Sequence, residues 1–440
     1  DKSLLCYNKK QHHLIYLKEP LSMTIPIQPG ISLTVIPTEK FKTIRLFIRF
    51  STPHTRKKAT SRTLLTSLLE TNSLNYPTQT ALSAKLAELY GASFGINVSK
   101  RGNLHQVNVS MTVVNGKYIE QEDVFSQAVQ FLKEILFYPN IYDNQFEQTT
   151  FELEKKNLIA YLESVQEDKQ TLASLKIQEL YFNKNEDQKT PSFGEVSDLE
   201  KLTASDLNET YRQMLEEDCI DIFVVGDLSP EVVQKEIAQL PFAQGLRQTT
   251  DIFYRQPLEN QIREEKLTQE VLQAKLNLAY ATNIYYDDRK RYPLMIFNGL
   301  FGGFPHSKLF LNVREKASLA YYASSSVDTF RGLMTVQTGI DGKNRSATMA
   351  LIEAQLASLQ RGEISDEELA KTKAMLKNQY LLSLDNPQSL IETKYLENWL
   401  PETKQTQKQF LNHIMSVTKE EVQEVAQQVS LEAVFFLDGE

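Results

Sequence analysis

The sequence has 440 residues, 41% of them hydrophobic and 24% charged, with a net charge of −8. At about 150 residues per domain, that length implies roughly two to four domains rather than one core. The acidic balance leaves no basic face for phosphates and excludes nucleic acid as the main partner. No run of about 18 apolar residues is present to span a membrane. Cys6 and Cys219 are far apart and form no metal-type pair, which fits a reducing cytoplasm. Residues 1–22 begin without Met, carry Lys2, Lys9, Lys10, His12 and His13, and lack the apolar core of a signal peptide. They are read as an N-terminal extension, in which the adjacent His12 and His13 have no helical partner for a metal.

From Ile31 the pattern is β-like. Ile31, Leu33 and Val35, then Ile44, Leu46, Ile48 and Phe50, alternate with polar or basic residues, which predicts strands with one buried face. Leu64, Leu65, Leu68 and Leu69 then form one apolar helix face. Thr78 is placed to cap a second helix, with Gly91 at its C-terminal end. Alternation returns over 93–114, and helices are expected over about 121–137 and 144–182. The second of these is long and carries a solvated face with Glu152, Glu154, Lys155 and Lys156. A capped helix start at Leu202–Leu207 precedes the strand Cys219–Val225 and a Gly226-Asp227 turn.

That ending recurs. Val417–Val422 opens a helix and Ala433–Gly439 closes as a strand and turn, roughly 215 residues later. Leu89–Gly102 likewise matches Leu319–Gly332, and Phe146–Glu163 matches Ser365–Leu382. The economical division is an extension (1–22), a first α+β half (23–235), a polar connector (236–268) and a second α+β half (269–440). Within the second half, Gly302-Gly303 leads into Leu309, Phe310 and Val313 at helical spacing, then Arg314-Glu315-Lys316 and a short strand. The Gly pair precedes no Lys-Ser/Thr of a phosphate cradle. Arg314 and Tyr321 are hydrogen-bond donors able to converge on one oxygen if helix and strand pack together. The structural alternatives are a surface Arg314–Glu315 pair and a core tyrosine.

The Gly-rich turn, Ser307-Lys308-Leu309-Phe310, Arg314-Glu315-Lys316 and Leu319-Ala320-Tyr321 resemble the second-half signature of the pitrilysin/insulinase-type peptidases, the inverted zincins. The resemblance implies an α+β chain of two tandem homologous α/β-sandwich halves, of the pitrilysin/mitochondrial-processing-peptidase type. Active members carry His-x-x-Glu-His on a first-half helix, where two imidazoles bind zinc and the Glu activates water. Here that helix reads Ser67-Leu68-Leu69-Glu70-Thr71. Both imidazoles are missing, Glu70 stays in the general-base position, and the distal ligand position, counted from Glu154, falls on Tyr161. Ser67 and Thr71 cannot replace imidazoles as tight ligands, so no metal is expected in this chain. His54, His105, His306 and His413 show no paired spacing that would rescue one.

The resemblance assigns Arg314 and Tyr321 to substrate binding and oxyanion stabilisation across a closed chamber. It assigns Gly302 and Gly303, with the strand residues Ser93, Phe94 and Gly95, to substrate binding, the strand edge pairing with an extended peptide. Such a chain resembles the zinc-less subunit of the heterodimeric bacterial type, with zinc in its partner and short peptides as substrate. The alternative is a catalytically inactive peptide-binding or structural assembly protein of the same fold, including a homodimer.

Overall fold

The structure, a computed structural model, describes residues 22–247, 249–257 and 261–439. The expectations for residues 1–21, His12 and His13 among them, lie outside the described residues. Alternating and β-branched segments form two sheets. The first runs β1 (Met23–Gln28), β2 (Ile31–Pro37), β8 (Cys219–Gly226), β3 (Thr43–Pro53), β5 (Leu104–Val114) and β4 (Ser93–Arg101) in spatial order. The second runs β11 (Ala320–Asp328), β12 (Leu333–Ile340), β10 (Ala274–Ala281), β13 (Ser430–Asp438) and β9 (Arg263–Thr268). A two-stranded ribbon joins β6 (Ile141–Tyr142) to β7 (Gln145–Phe146).

The sheets share one plan. β2 pairs parallel to β8 as β9 pairs parallel to β13, and the remaining neighbours are antiparallel in the same order. β1 is the extra strand of the first sheet. The repeat seen in sequence is therefore a repeat of topology, with β4 and β11 as equivalent edge strands. β9 falls inside the polar stretch expected as connector: Arg263, Glu264, Glu265 and Lys266 run in succession along an edge strand, where backbone pairing rather than apolar content places it.

One face of each sheet carries its own helices. Leu64, Leu65, Leu68 and Leu69 of the Arg56–Thr71 helix pack with Val129, Leu132 and Leu207 on Leu46, Ile48 and Phe50 of β3. In the second half Leu294, Phe297, Ile352 and Val425 pack on Leu276, Leu278 and Phe436.

The opposite faces are covered by exchange. Helix Lys169–Tyr181, from the first half, lays Leu172, Ala173 and Ile177 on Ala279, Ala433 and Phe435 of the second sheet. Helix Pro387–Trp399, from the second half, lays Leu390, Ile391 and Tyr395 on Phe47, Leu104 and Phe223 of the first. β3 is consequently buried on both faces, where alternation predicted one, and β8 is buried throughout. The single helix expected over 144–182 is two, Gln148–Glu167 and Lys169–Tyr181. At Asp168 the backbone leaves helical ψ and the carboxylate accepts the N–H groups of Gln170 and Thr171. This N-cap starts a new helix aimed at the other sheet.

The exchange has a charged centre. Arg49 of β3, its side chain 4% exposed, makes a bidentate pair with Glu392, at 2.6 and 3.1 Å. Arg101 adds a third bond at 2.9 Å, and the Arg49 guanidinium lies 4.4 Å from the Tyr395 ring centroid. Burial pushes the Glu392 carboxyl up, but the hydrogen bonds and charges of Arg49 and Arg101 outweigh it and hold it at about 2.

Replacing Glu392 with Ala strands Arg49 without a counter-charge. The expected cost is about 3–5 kcal/mol, read as a lower urea midpoint. Because the folded pKa is depressed, this stabilisation is full above the ordinary carboxylate range and is lost as pH falls toward about 2. Glu392→Gln should flatten acid unfolding in that window.

Candidate functional site

The Arg56–Thr71 helix begins where the Thr55 hydroxyl accepts the Lys58 N–H. Its leucines face the core, which leaves Ser67, Glu70 and Thr71 half-buried on the side towards β4. Ser67 and Thr71 share a face at i and i+4, and the Thr71 hydroxyl donates to the Ser67 carbonyl at 2.8 Å. Glu70 accepts the Ile96 backbone N–H at 2.6 Å. Since β4 is an edge strand, that N–H points away from the ladder, and the carboxylate occupies part of the free edge. Burial raises the Glu70 pKa, the Ile96 N–H opposes the rise, and the nearby Glu154 carboxylate adds to it.

The neighbouring strand residues divide by face. Ser93 is exposed, Phe94 turns inward to meet Phe131 edge-on at 5.2 Å, and Gly95 sits against the Glu70 carboxylate. Tyr161, on the Gln148–Glu167 helix, is 58% exposed. Hydroxyls at Ser67 and Thr71 and a phenol at Tyr161 do not make a zinc donor set. Among the described residues no group of three or more His, Cys, Asp or Glu is placed to hold a metal.

Two of the histidines with no paired spacing in sequence do meet in space. The β3–β5 register sets Thr52 opposite His105, and His54 stacks on His105 with ring centroids 5.6 Å apart. Three of their four nitrogens are engaged locally, His54 Nε2 with the Thr190 carbonyl at 3.1 Å, His105 Nε2 with the Ser192 carbonyl at 2.8 Å, and His105 Nδ1 with the Arg62 Nε–H, while His54 Nδ1 is buried with no partner among the described residues. Burial, then the Lys100 charge, push His54 down to about 3. His306 bonds Thr372 and His413 bonds Gln405. Sequence spacing gave no sign of the His54–His105 contact, because it depends on strand register.

In the second half, Gly299–Gly303 and Leu309–Lys316 wind as π-helix, with Leu309 and Val313 buried. A Cβ at Gly302 would lie 2.7 Å from the Ser325 nitrogen on β11, so glycine is required for that close approach. Gly303 packs as tightly on Asn298, whose side-chain oxygen accepts the Ser325 hydroxyl at 2.8 Å. The Gly pair is thus a packed turn beside an edge strand.

Arg314 keeps its side chain 41% exposed, 4.6 Å over the Phe310 ring, with Glu315 at 3.5 Å. Tyr321 is 65% exposed at an irregularity of β11 where pairing jumps from Ala320 to Tyr322. Such a bulge re-aims a side chain. Its hydroxyl has no hydrogen-bond partner among the described residues, and none links it to Arg314. Tyr321 is therefore a surface tyrosine, not a core one. The Glu70–Ile96 bond and the Glu154 neighbour escaped the sequence reading, which named Glu70 on its helix and Ser93–Gly95 on a strand separately.

Two halves of matching topology, with no metal-donor group among the described residues, fit a metallopeptidase-like scaffold without zinc. Residues 201–376 match the family described as peptidase M16 inactive domain. Over 414 residues the sequence is 34% identical to the Bacillus subtilis (strain 168) protein named "Probable inactive metalloprotease YmfF", covering 93% of this chain and 96% of that one. The chain belongs to the peptidase M16 family. Its fold is similar to that of a conserved protein from Enterococcus faecalis V583, with TM-score 0.91, 54% identity, and coverage of 95% of this chain and 99% of that one. A protease from Helicobacter pylori shares the fold at TM-score 0.78 and 14% identity, over 95% of this chain and 100% of that one.

After dialysis against zinc and then buffer, elemental analysis should find far less than one equivalent per chain. A stoichiometric metal would contradict the donor set. Glu70→Ala should free the Ile96 amide, whose hydrogen exchange is expected to rise by roughly tenfold for a lost bond of about 1.4 kcal/mol. Glu70→Gln, which keeps an acceptor, should retain most of the protection.

Proposed function

We propose that this chain is the non-zinc subunit of a heterodimeric metallopeptidase that cleaves short peptides. A homologous partner supplies zinc, its bound water and the general base. This chain supplies Arg314 and Tyr321, which bind the substrate backbone and donate to the oxyanion. The observation that carries the reading is the state of these two donors. Both are exposed, the phenol lacks a hydrogen-bond partner among the described residues, and the guanidinium lies over the Phe310 ring with the adjacent Glu315 at a long 3.5 Å. Donors left unspent in this way suit an oxygen delivered by another polypeptide.

The edge of β4 fits the same reading less directly, because Glu70 already holds the Ile96 N–H. A peptide adding to that edge would pair around Ile96 or displace the carboxylate. This closure favours the second reading, a catalytically inactive binding or assembly protein, as does the name of the Bacillus subtilis relative. No helix among the described residues is long and apolar enough to cross a membrane, and a cytoplasmic setting is the one proposed.

Mixing the purified chain with a zinc-bearing homologue from the same genome separates the two readings. Each alone should be inactive, and the mixture should cleave short peptides. Arg314→Ala or Tyr321→Phe should then lower kcat by roughly 10²–10³, as for the loss of one oxyanion donor, while complex formation persists. Full activity in the double variant would sink the proposal and leave the assembly reading.

A further inference from the structure

A cavity of about 880 Å³ lies away from the candidate site, between β1, β8 and the end of the Pro387–Trp399 helix. That volume suits a small organic ligand. Its walls include Ile27, Ile31 and Leu400, and its polar lining includes Ser32, Asp221 and Trp399. Two carboxylates, Asp221 and Asp251, face it, and among the described residues no Lys, Arg or His lines it. Asp251 is turned back on its own chain, accepting the Phe253 N–H at 2.9 Å.

Asp221 is the unusual group. It is 7% exposed, and its two oxygens accept the Ser32 hydroxyl at 3.0 Å and the Trp399 indole N–H at 2.8 Å. Two such donors suit an anionic carboxylate, yet among the described residues no cation pairs with it. Burial pushes its pKa up against the Trp399 and Ser32 hydrogen bonds and the Arg49 charge, and that guanidinium spends its own hydrogen bonds on Glu392 and Asn108. Arg247, packed behind Gly30, donates to the Leu215, Asp218 and Ala243 carbonyls. A buried carboxylate without a cation is costly, and the open side of this one is the cavity.

We propose that this cavity binds an organic ammonium cation with an apolar body, the ammonium paired with Asp221 and the body held by Ile27, Ile31 and Trp399. The indole adds a face that attracts cations. Because β8 belongs to the first sheet and Trp399 to the exchanged helix, such a ligand would bridge the two halves. The assignment is independent of the peptidase reading.

Trp399 is the only tryptophan in the sequence, so its fluorescence in the full chain reports on the cavity. Hexylammonium chloride should give a saturable response in the millimolar range or below, about tenfold tighter than 1-hexanol. Asp221→Asn, nearly isosteric, should remove that preference. Ile27→Phe alters an exposed wall position and should weaken both probes without touching the core, so it serves as the test even if the Asp221 variant fails to fold. Equal binding of alcohol and ammonium, no saturable response, or an undiminished response in Ile27→Phe would each overturn the proposal.

Discussion

The Arg49–Glu392 pair is the point on which the two halves depend. It joins the central strand of one sheet to a helix supplied by the other half, and Arg101 and Tyr395 close around it. A charged pair at such a place is poor value as stability alone, since two well-packed apolar residues serve as well. It does fix register. A carboxylate at Glu392 that must reach two guanidiniums permits one placement of the helix along β3. The reciprocal contact puts its cations on neutral acceptors: Arg331 donates to Gln178 and Lys169 to Gln269, while Gln170 donates to Gln337, which donates to Ser174. One seam is therefore centred on a buried carboxylate between two guanidiniums and the other on amides and apolar packing, although the sheets beneath follow the same plan.

Much of this was legible in the sequence because local chemistry governs it. Thr78, Thr203 and Thr418 cap helices where their positions indicated, the latter two with capping boxes through Asp206 and Glu421. The recurrence of Leu89–Gly102 in Leu319–Gly332 became two equivalent edge strands. Features set by distant residues were not legible. Alternation along β3 reported one apolar face, since Arg45, Arg49 and Ser51 are polar whether water or a helix covers them. The break at Asp168 was hidden because a helix-capping aspartate inside a charged run looks like one more solvated residue. β9 was hidden because its burial is in its backbone, not its side chains.

The candidate site shows the same division. The absence of imidazoles at Ser67 and Thr71 is visible letter by letter, and the fold then shows what their neighbour Glu70 does. Glu70 takes a backbone N–H of the strand that runs past it. Its carboxylate is a tether between helix and sheet edge. Tyr321 moved the other way: an aromatic that composition favours for the core stands in solvent because a β11 irregularity turns it out. Neither outcome follows from residue type, and both follow from which strand lies at the edge.

The exchanged helices also set an order of events during synthesis. Ile177 and its neighbours pack on Phe435 and Ala433, 258 residues further along the chain. At about 5–20 residues per second, roughly 10–50 s pass before that surface exists. Through this interval the apolar side of Lys169–Tyr181, with Leu172, Tyr181 and the adjoining Phe182, has no sheet to cover it. The nascent first half thus keeps this apolar face open until the second sheet is made, however complete its own sheet has become.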